Sequence, residues 1–211
     1  MKINNYIDYT LLSATATPSD IKKLCTDANT HDFHAVCVNG HYTGLANIAL
    51  SNSKVKVASV IGFPLGAMST KSKLYEAQEC ISDGADEIDM VMNIGVFKSK
   101  DYKFVQNEIE TIKKAIGMNT LKVIVETCYL NNEELKTACE IVLNSGADFI
   151  KTSTGFGTAG ATLENVAVMK EMVGDKLKIK ASGGIKNTET AKKYIELGVS
   201  RIGTSTIILN D

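Results

Sequence analysis

The sequence predicts an α/β protein, a (β/α)8 barrel that occupies residues 1–211 as a single domain. Two observations lead to this prediction. Short apolar runs rich in β-branched residues alternate along the whole chain with stretches whose apolar residues recur at spacings of three and four, as in amphipathic helices. Eight such strands, in units of roughly 22 to 35 residues with no linker-like tract, favour a closed barrel over an open doubly wound sheet, which stays the alternative.

The eight predicted strands are short and mostly apolar. They cover residues 6–12, 35–39, 55–63, 87–93, 121–127, 149–153, 177–182 and 201–207. Near-continuous apolar runs of this length are typical of parallel strands that are covered on both faces.

Helices are predicted between the strands. The first begins at Thr17-Pro18-Ser19-Asp20, where a capping hydroxyl, a proline and an acid suit a helix N-terminus. Others cover residues 71–82, 101–116, 132–144, 163–172 and 188–197. Three of these helices end in a similar glycine turn, at Gly84, Gly146 and Gly198. Glycine is suited to the left-handed cap of a helix, so these turns indicate a repeated helix-to-strand unit.

Composition excludes several classes of protein. The chain is 44% hydrophobic and 22% charged, as in ordinary globular proteins, and its net charge of -1 leaves no basic excess for nucleic acid. No run of about 18 apolar residues indicates a membrane span, and no apolar segment precedes Ala14-Thr15-Ala16 as a signal peptide would require. Five cysteines, without a Cys-x-x-Cys pair, indicate reduced thiols. We therefore expect a soluble cytoplasmic protein.

Lys151 is the residue most suggestive of chemistry. It lies in the apolar run Phe149-Ile150-Lys151, which ends in hydroxyls and Gly155 and is predicted to be a buried strand. An ordinary lysine has a pKa of about 10.4, but burial or a nearby cation lowers the pKa by up to several units. The uncharged amine that results is a nucleophile toward carbonyls. The alternative is a lysine that pairs with an acid or reaches solvent along the strand end.

Other charged residues also lie near the ends of predicted strands, where barrel enzymes carry their chemistry: Asp89, Glu126 and Lys180. Lys151 and Lys180 occupy consecutive strands at similar depth. Two ammonium groups at about 4 Å repel by about 4 kcal/mol at an effective dielectric near 20, so Lys180 is predicted to lower the Lys151 pKa. Asp89 is then the acid best placed to move protons. The alternative is a structural Lys-Asp-Lys network, and removing the Lys180 charge is expected to leave the barrel folded or more stable.

Two loops are predicted to bind phosphate. They are Ser182-Gly183-Gly184-Ile185 and Gly203-Thr204-Ser205-Thr206, after the seventh and eighth strands. Barrel enzymes frequently hold phosphate at these positions on backbone N–H groups, and small residues let the backbone approach.

Two other patterns are not favoured as sites. Gly155-Phe156-Gly157-Thr158-Ala159-Gly160 matches the dinucleotide fingerprint, but the next strand ends in Lys180-Ala181-Ser182 instead of the acid that binds a ribose hydroxyl. His31, His34 and His41 resemble a ligand cluster, but the first two precede a strand and are predicted to be surface residues on the opposite face. We therefore predict neither a metal nor a cofactor.

The chain resembles the deoxyribose-phosphate aldolase family over nearly its whole length. The resemblance is carried by five motifs in order: Val60-Ile61-Gly62-Phe63-Pro64-Leu65-Gly66, Glu87-Ile88-Asp89-Met90-Val91, Val125-Glu126-Thr127-Cys128-Tyr129-Leu130, Phe149-Ile150-Lys151-Thr152-Ser153-Thr154-Gly155-Phe156 and Lys180-Ala181-Ser182-Gly183-Gly184. Several long motifs in the right order are more specific than any single lysine.

The resemblance implies a class I aldolase of deoxyribonucleoside breakdown, which reversibly cleaves 2-deoxy-D-ribose 5-phosphate to D-glyceraldehyde 3-phosphate and acetaldehyde. It implies Lys151 as the Schiff-base lysine, Lys180 as the cation that perturbs it and Asp89 as the proton relay. Residues implied around the phosphate are Gly155, Gly183, Gly184 and Ser205, with Thr206 supplying a second hydroxyl. A homodimer or higher homo-oligomer is also expected.

The sequence departs from the family pattern at a few positions. The family usually has histidine at the position of Tyr9, proline at that of Gly40 and serine at that of Thr206.

Two other functions of the barrel stay open. In a different phosphate-sugar barrel enzyme, such as an isomerase, Lys151 would only bind charge; in a sugar-phosphate sensor, the same scaffold would bind without catalysis.

Overall fold

The computed structural model describes residues 2–207, and within them eight parallel strands close into a barrel. The strands are β1 (Ile7–Leu11), β2 (Ala35–Asn39), β3 (Lys56–Ile61), β4 (Glu87–Val91), β5 (Thr120–Ile124), β6 (Phe149–Lys151), β7 (Lys178–Ser182) and β8 (Arg201–Thr204). Each pairs with the next in chain order, and β8 pairs with β1. The predicted (β/α)8 barrel is confirmed, and the open sheet is excluded. Residues 1 and 208–211 of the predicted domain lie outside the described residues.

Eight α-helices follow or flank the strands in the described part of the chain. They are α1 (Pro18–Thr30), α2 (Thr43–Ala49), α3 (Thr70–Ser82), α4 (Ile94–Lys98), α5 (Tyr102–Ile116), α6 (Asn132–Asn144), α7 (Leu163–Val173) and α8 (Thr188–Glu196). The predicted start of α1 is confirmed, because Thr17 and Asp20 form a capping box and Pro18 occupies the first turn. The sequence analysis did not predict α2 and α4, which are too short to show a clear helical period.

β2 has the predicted bounds, but the other strands are shorter than predicted, and the difference lies mostly at their carboxyl ends. The fourth and sixth were predicted to reach residues 93 and 153 but end at Val91 and Lys151. The residues that follow remain partly linked to the neighbouring strands, since Thr152 donates its N–H to Lys180 O at 3.1 Å and Thr127 to Thr152 O at 2.9 Å. These segments form the loops at one end of the barrel, where side chains from several strands converge.

Apolar side chains fill the layer between strands and helices. Strand residues such as Val36, Ile88, Val123 and Ile150 are buried in one large cluster with residues of the helices, for example Ile109. The barrel interior is different, because it contains fully buried charged side chains. Register sets their depth: Asp89 lies opposite Lys122, and Lys151 lies opposite Lys180. None of the helices among the described residues is long and apolar enough to cross a membrane.

Candidate active site

The carboxylate of Asp89 lies at the centre of a group of three lysines. Lys151 and Lys180 both donate to its Oδ2, at 2.7 and 2.8 Å, and Lys122 donates to Oδ1 at 2.7 Å. Asp89 and two of the lysines are fully buried, while the Lys151 side chain keeps 3% exposure. The structure therefore brings together the three residues predicted for catalysis, Lys151, Lys180 and Asp89, and adds Lys122, which the sequence analysis did not select.

Lys180 has a second carboxylate partner. Its Nζ lies 2.5 Å from Oδ2 of Asp8, a fully buried residue of β1 that the sequence analysis also missed. Arg201 of β8 lies 3.3 Å from the other oxygen of Asp8. Because Lys180 is bound by two carboxylates, its ammonium form is strongly favoured.

Lys122 has two close carboxylate partners and a more distant one, Asp8 at 3.9 Å. Besides Asp89, it lies 2.5 Å from Oε2 of Glu87. Glu87 in turn contacts Arg201 at 3.3 Å and Nε2 of His34 at 3.5 Å. These contacts extend the group of charges from the Asp89 carboxylate toward the opposite end of the barrel.

The pKa values of the two lysines on Asp89 Oδ2 are shifted in opposite directions. Burial is the largest influence on the pKa of Lys151 and lowers it; the Lys180 charge lowers it further, and Asp89 opposes both. Burial would also lower the pKa of Lys180, but Asp8 and Asp89 together raise it above the ordinary value. The predicted depression of the Lys151 pKa is thus supported in direction, with the correction that burial contributes more than repulsion from Lys180.

The carboxylates in the group stay ionised. Burial alone would raise the pKa of Asp89, but the three lysines hold it well below its ordinary value. The pKa of Asp8 is also lowered, because the attraction of Lys180, Lys122 and Arg201 outweighs its burial. A proton in this group therefore leaves most readily from Lys151.

A cavity of about 640 Å³ opens over Lys151 at the carboxyl ends of β1 and β6 to β8. Its wall is made by residues 10–14, 154–156, 182–186 and 203–205. Four of the predicted phosphate-binding residues line it: Gly155, Gly183, Gly184 and Ser205. Thr206 is not a lining residue, but its N–H donates to Oγ1 of Thr204, which lines the cavity, at 3.1 Å. One cavity thus combines a buried amine with loops suited to an anion.

The loop after β7 depends on glycine. Gly183 and Gly184 have φ angles of +87° and +81°, in the left-handed region that other residues rarely adopt. A Cβ on Gly160 would collide with the backbone of Gly183, and the N–H of Ala161 donates to Gly183 O at 3.2 Å. Gly160, the last glycine of the sequence that resembles a dinucleotide fingerprint, therefore lets the loop after β6 pack against the loop after β7.

Among the residues of the cavity wall that the sequence analysis did not select for this site, two bring a charge or an aromatic ring: Lys186 and Phe156. Lys186 brings a cation to the end of the loop after β7. Phe156 is 56% exposed, and its ring packs edge-on against Phe63 with 5.3 Å between centroids. A cation after a Gly-Gly loop would have been the sequence signal for Lys186.

Glu126, the other strand-end acid, has a structural position. Its backbone is left-handed, with φ of 53°, and its carboxylate accepts from the N–H of Thr154 at 3.1 Å and from the Thr154 hydroxyl. Burial raises the pKa of Glu126 against these hydrogen bonds. Glu126 thus ties the loop after β6 to the end of β5.

The histidines lie away from the Lys151 cavity. His34 lines a separate, open cavity of about 890 Å³ among the loops that precede the strands, as predicted for the opposite face. His41 is exposed and packs edge-on against Tyr42. Within residues 2–207, no three His, Cys, Asp or Glu side chains form a group suited to a metal ion.

Two departures from the family pattern lie in the outer layer. The ring of Tyr9 packs against Phe33 with 5.5 Å between centroids. A Cβ on Gly40 would meet the sulfur of Cys80 at 3.2 Å, so this position has little space for a larger residue.

Comparison with known proteins gives consistent results. A model of the family described as DeoC/LacD family aldolase matches residues 3–204. The chain is 56% identical to a deoxyribose-phosphate aldolase from Finegoldia magna, over 97% of this chain and 96% of that protein. It is 53% identical to a deoxyribose-phosphate aldolase from Thermococcus kodakarensis, over 97% and 93%.

Solved structures agree with this result. The chain superposes on an aldolase called QR15 with a TM-score of 0.93 and 45% identity, over 97% of this chain and 91% of that one. It superposes on a tetrameric deoxyribose phosphate aldolase from Aeropyrum pernix with a TM-score of 0.90 and 32% identity, over 97% and 87%.

Proposed function

The chain belongs to the DeoC/LacD family of aldolases, and we propose that it reversibly cleaves 2-deoxy-D-ribose 5-phosphate. The products are D-glyceraldehyde 3-phosphate and acetaldehyde, and the reaction belongs to deoxyribonucleoside breakdown. The observation that carries the proposal is the buried Lys151 amine, whose pKa is lowered mainly by burial and which lies in a cavity lined by the glycine- and hydroxyl-containing loops after β6, β7 and β8. Such an amine attacks a carbonyl without the help of a metal.

The reaction follows from the position of Lys151. Its uncharged Nζ attacks the aldehyde carbon of the open-chain sugar, and loss of water leaves a protonated imine. The imine withdraws electrons as the hydroxyl on carbon 3 loses its proton and the bond between carbons 2 and 3 breaks. Glyceraldehyde 3-phosphate leaves, and the remaining enamine takes a proton on carbon 2. Addition of water then releases acetaldehyde and restores the amine.

Asp89 moves protons in this scheme, with Lys180 as the cation that keeps Lys151 uncharged. Asp89 Oδ2 lies 2.7 Å from Lys151 Nζ, within hydrogen-bond reach of the atom that must lose and regain protons. Lys180 stays charged on Asp8 and Asp89, so its repulsion acts on Lys151 throughout the cycle.

The phosphate binds at the other side of the cavity. Its proposed partners are the backbone of Gly155, Gly183 and Gly184 and the hydroxyl of Ser205, which line the cavity, together with the hydroxyl of the next residue, Thr206. Lys186 adds a positive charge beside these loops. A phosphate held there places the aldehyde end of the sugar toward Lys151, since the three glycines, Ser205 and Lys186 line the same cavity as Lys151.

Reductive trapping tests the proposal. Acetaldehyde and borohydride should add an ethyl group to Lys151, because only an uncharged amine forms the imine. Peptide mass mapping identifies the modified residue. Lys122 and Lys180 are internal controls, since carboxylates raise the pKa of each despite burial, and both should stay unmodified. An adduct on another residue, or none, would contradict the aldolase mechanism and favour the isomerase in which Lys151 only binds charge.

We also propose a homo-oligomer in the cytoplasm. None of the five cysteines is paired in a disulfide, as is usual in a reducing compartment. The surface at α3 and the loop before it exposes Leu65, Met68 and Tyr75, by 70%, 40% and 64%. An apolar surface of this kind suits a subunit contact. Light scattering coupled to size exclusion should give at least twice the 22.8 kDa chain mass, and a monomer would contradict the proposal.

A further inference from the structure

The ion pairs inside the barrel form one connected group, here called the axial charge network. It joins seven charged side chains of β1 and β4 to β8: Asp8, Glu87, Asp89, Lys122, Lys151, Lys180 and Arg201. His34 contacts its far end through Glu87 at 3.5 Å. The proposed mechanism uses only Asp89, Lys151 and Lys180, so it leaves the role of the other charges open.

The network has four cations for three carboxylates. Lys122 is held by Glu87 and Asp89, and Lys180 by Asp8 and Asp89. Lys151 is bound by one carboxylate oxygen, Asp89 Oδ2, which it shares with Lys180. Since an uncompensated charge is costly in a buried site, the surplus proton is lost from the cation with the weakest carboxylate binding.

We propose that Lys122 and Glu87 are positioning residues that make Lys151 the uncharged amine of the network. Lys122 occupies Oδ1 of Asp89, so that only Oδ2 is left for Lys151 and Lys180 to share. Glu87 holds Lys122 in this position from the far side at 2.5 Å. The inference rests on the proposed function, in which Lys151 forms the imine, and assigns to two residues outside the cavity the control of that amine.

The two residues should act on Lys151 in opposite directions. Removing the Lys122 charge frees Asp89 to stabilise the Lys151 ammonium and ends one repulsion, so the pKa of Lys151 should rise. Removing the Glu87 charge leaves Lys122 less neutralised, so the pKa of Lys151 should fall. Other titratable or charged groups that face this part of the barrel are Asp8, Cys37, Asp89, Glu126, Lys180, Arg201 and His34.

The test measures how fast acetaldehyde and cyanoborohydride ethylate Lys151 between pH 5 and 9, by peptide mass mapping. We expect Lys122→Met to move the half-maximal pH up by about one unit and Glu87→Gln to move it down by about one unit. Lys122→Arg keeps the charge, so its midpoint should stay near that of the parent. A purely structural role would lower stability without opposite shifts in pH dependence.

A matched control exists in the helical layer. Lys73 and Glu108, on α3 and α5, form another fully buried ion pair at 2.8 Å. Glu108→Gln should lower the melting temperature and leave the ethylation midpoint unchanged. This control separates loss of a buried ion pair from loss of charge next to Asp89.

The outcomes distinguish the two proposals. If the parent is not ethylated at Lys151, the proposed function fails. If the parent is ethylated but Lys122→Met and Glu87→Gln leave the midpoint unchanged, or move it in the same direction, the positioning role is overturned. If Lys122→Met does not fold, a lowered midpoint in Glu87→Gln still supports the role and an unchanged one overturns it. Failure of both variants to fold would assign the pair to stability alone.

Discussion

Lys151 and Lys180 lie directly opposite each other on neighbouring strands and donate to the same oxygen of Asp89. Of the two lysines, only Lys180 binds a second carboxylate, that of Asp8 at 2.5 Å. The two lysines lie at equal depth in the barrel. Because of this difference in carboxylate binding, Lys180 keeps its proton, whereas Lys151 loses its proton more easily. In the proposed mechanism, the pair supplies both the nucleophile and the charge that tunes it.

Lys180→Met should abolish most activity near neutral pH. Without Lys180, Asp89 Oδ2 binds Lys151 alone, so the Lys151 pKa rises toward the ordinary value of about 10.4 and the amine fraction falls by orders of magnitude. Residual activity should then increase as the pH is raised toward about 9 or 10. The measurement is kcat/KM against pH for variant and parent.

The same substitution should destabilise the barrel, contrary to the expectation from the sequence. Lys180 does not merely repel Lys151, because it also binds Asp8 and Asp89. Its loss would leave the Asp8 carboxylate with two more distant cations, Arg201 at 3.3 Å and Lys122 at 3.9 Å. Breaking a buried pair typically costs about 3–5 kcal/mol. Chemical denaturation reports the change, and a variant as stable as the parent would restore the original expectation. In the activity measurement, a Lys180→Met variant with the pH profile of the parent would show that burial alone tunes the pKa of Lys151.

Asp89→Asn should separate imine formation from turnover. Loss of the carboxylate removes the main attraction that keeps Lys151 charged, so reductive trapping at Lys151 should persist. Turnover should fall by about 10²- to 10⁴-fold, because general acid–base catalysis contributes factors of this size. Trapping rate and kcat are measured on the same preparation, with circular dichroism to check folding. Equal losses of trapping rate and kcat would show that Asp89 is needed for imine formation at Lys151 and does not move protons.

Candidate catalytic residues could be predicted from the sequence where a charged residue interrupts an apolar strand. A lysine in a buried strand, followed by hydroxyls and glycines, pointed to Lys151, and Asp89 and Lys180 were identified in the same way. Lys122 and Asp8 are also charges in apolar runs, and Lys122 lies opposite Asp89 in register, but the sequence analysis selected neither of them. The same signal was present at both positions.

Partners could not be predicted from local patterns. Strands covered on both faces are apolar throughout, so alternation does not show which side chains point into the barrel. The Lys180–Asp8 contact joins residues 172 positions apart and depends on the closing pair of strands and on register. The same limit explains why Lys180 was expected to act on Lys151 by repulsion alone, since its carboxylate partner was not known.

Acid should destabilise the protein within a defined pH range. Asp8, Glu87 and Asp89 are buried, and their cationic neighbours hold the pKa of each below its ordinary value despite burial. A lowered folded-state pKa gives stability that is complete above the unfolded values, about 3.9 for Asp and 4.3 for Glu, and is lost as the pH falls through them toward the folded pKa.

Urea denaturation at pH 7, 5, 4 and 3 measures this effect. The midpoint should change little between pH 7 and 5 and fall steeply below about pH 4. Added salt should not abolish the fall, since buried pairs are screened much less than exposed ones. A midpoint that is constant from pH 5 to 3 would show that the three carboxylates are no better stabilised in the folded chain than in the unfolded one.

Ser205→Asp should weaken use of the phosphorylated sugar selectively. Ser205 lines the cavity beside the Gly183–Gly184 loop, so an added carboxylate there repels a phosphate but not a neutral sugar. We expect kcat/KM for 2-deoxyribose 5-phosphate to fall by about 100-fold, and that for unphosphorylated 2-deoxyribose to change by less than about threefold. Ser51→Asp, at an exposed serine after α2, is the matched control and should change neither value. Equal losses for the two sugars would mean that the phosphate does not bind at Ser205, because only a charged group distinguishes them at this site.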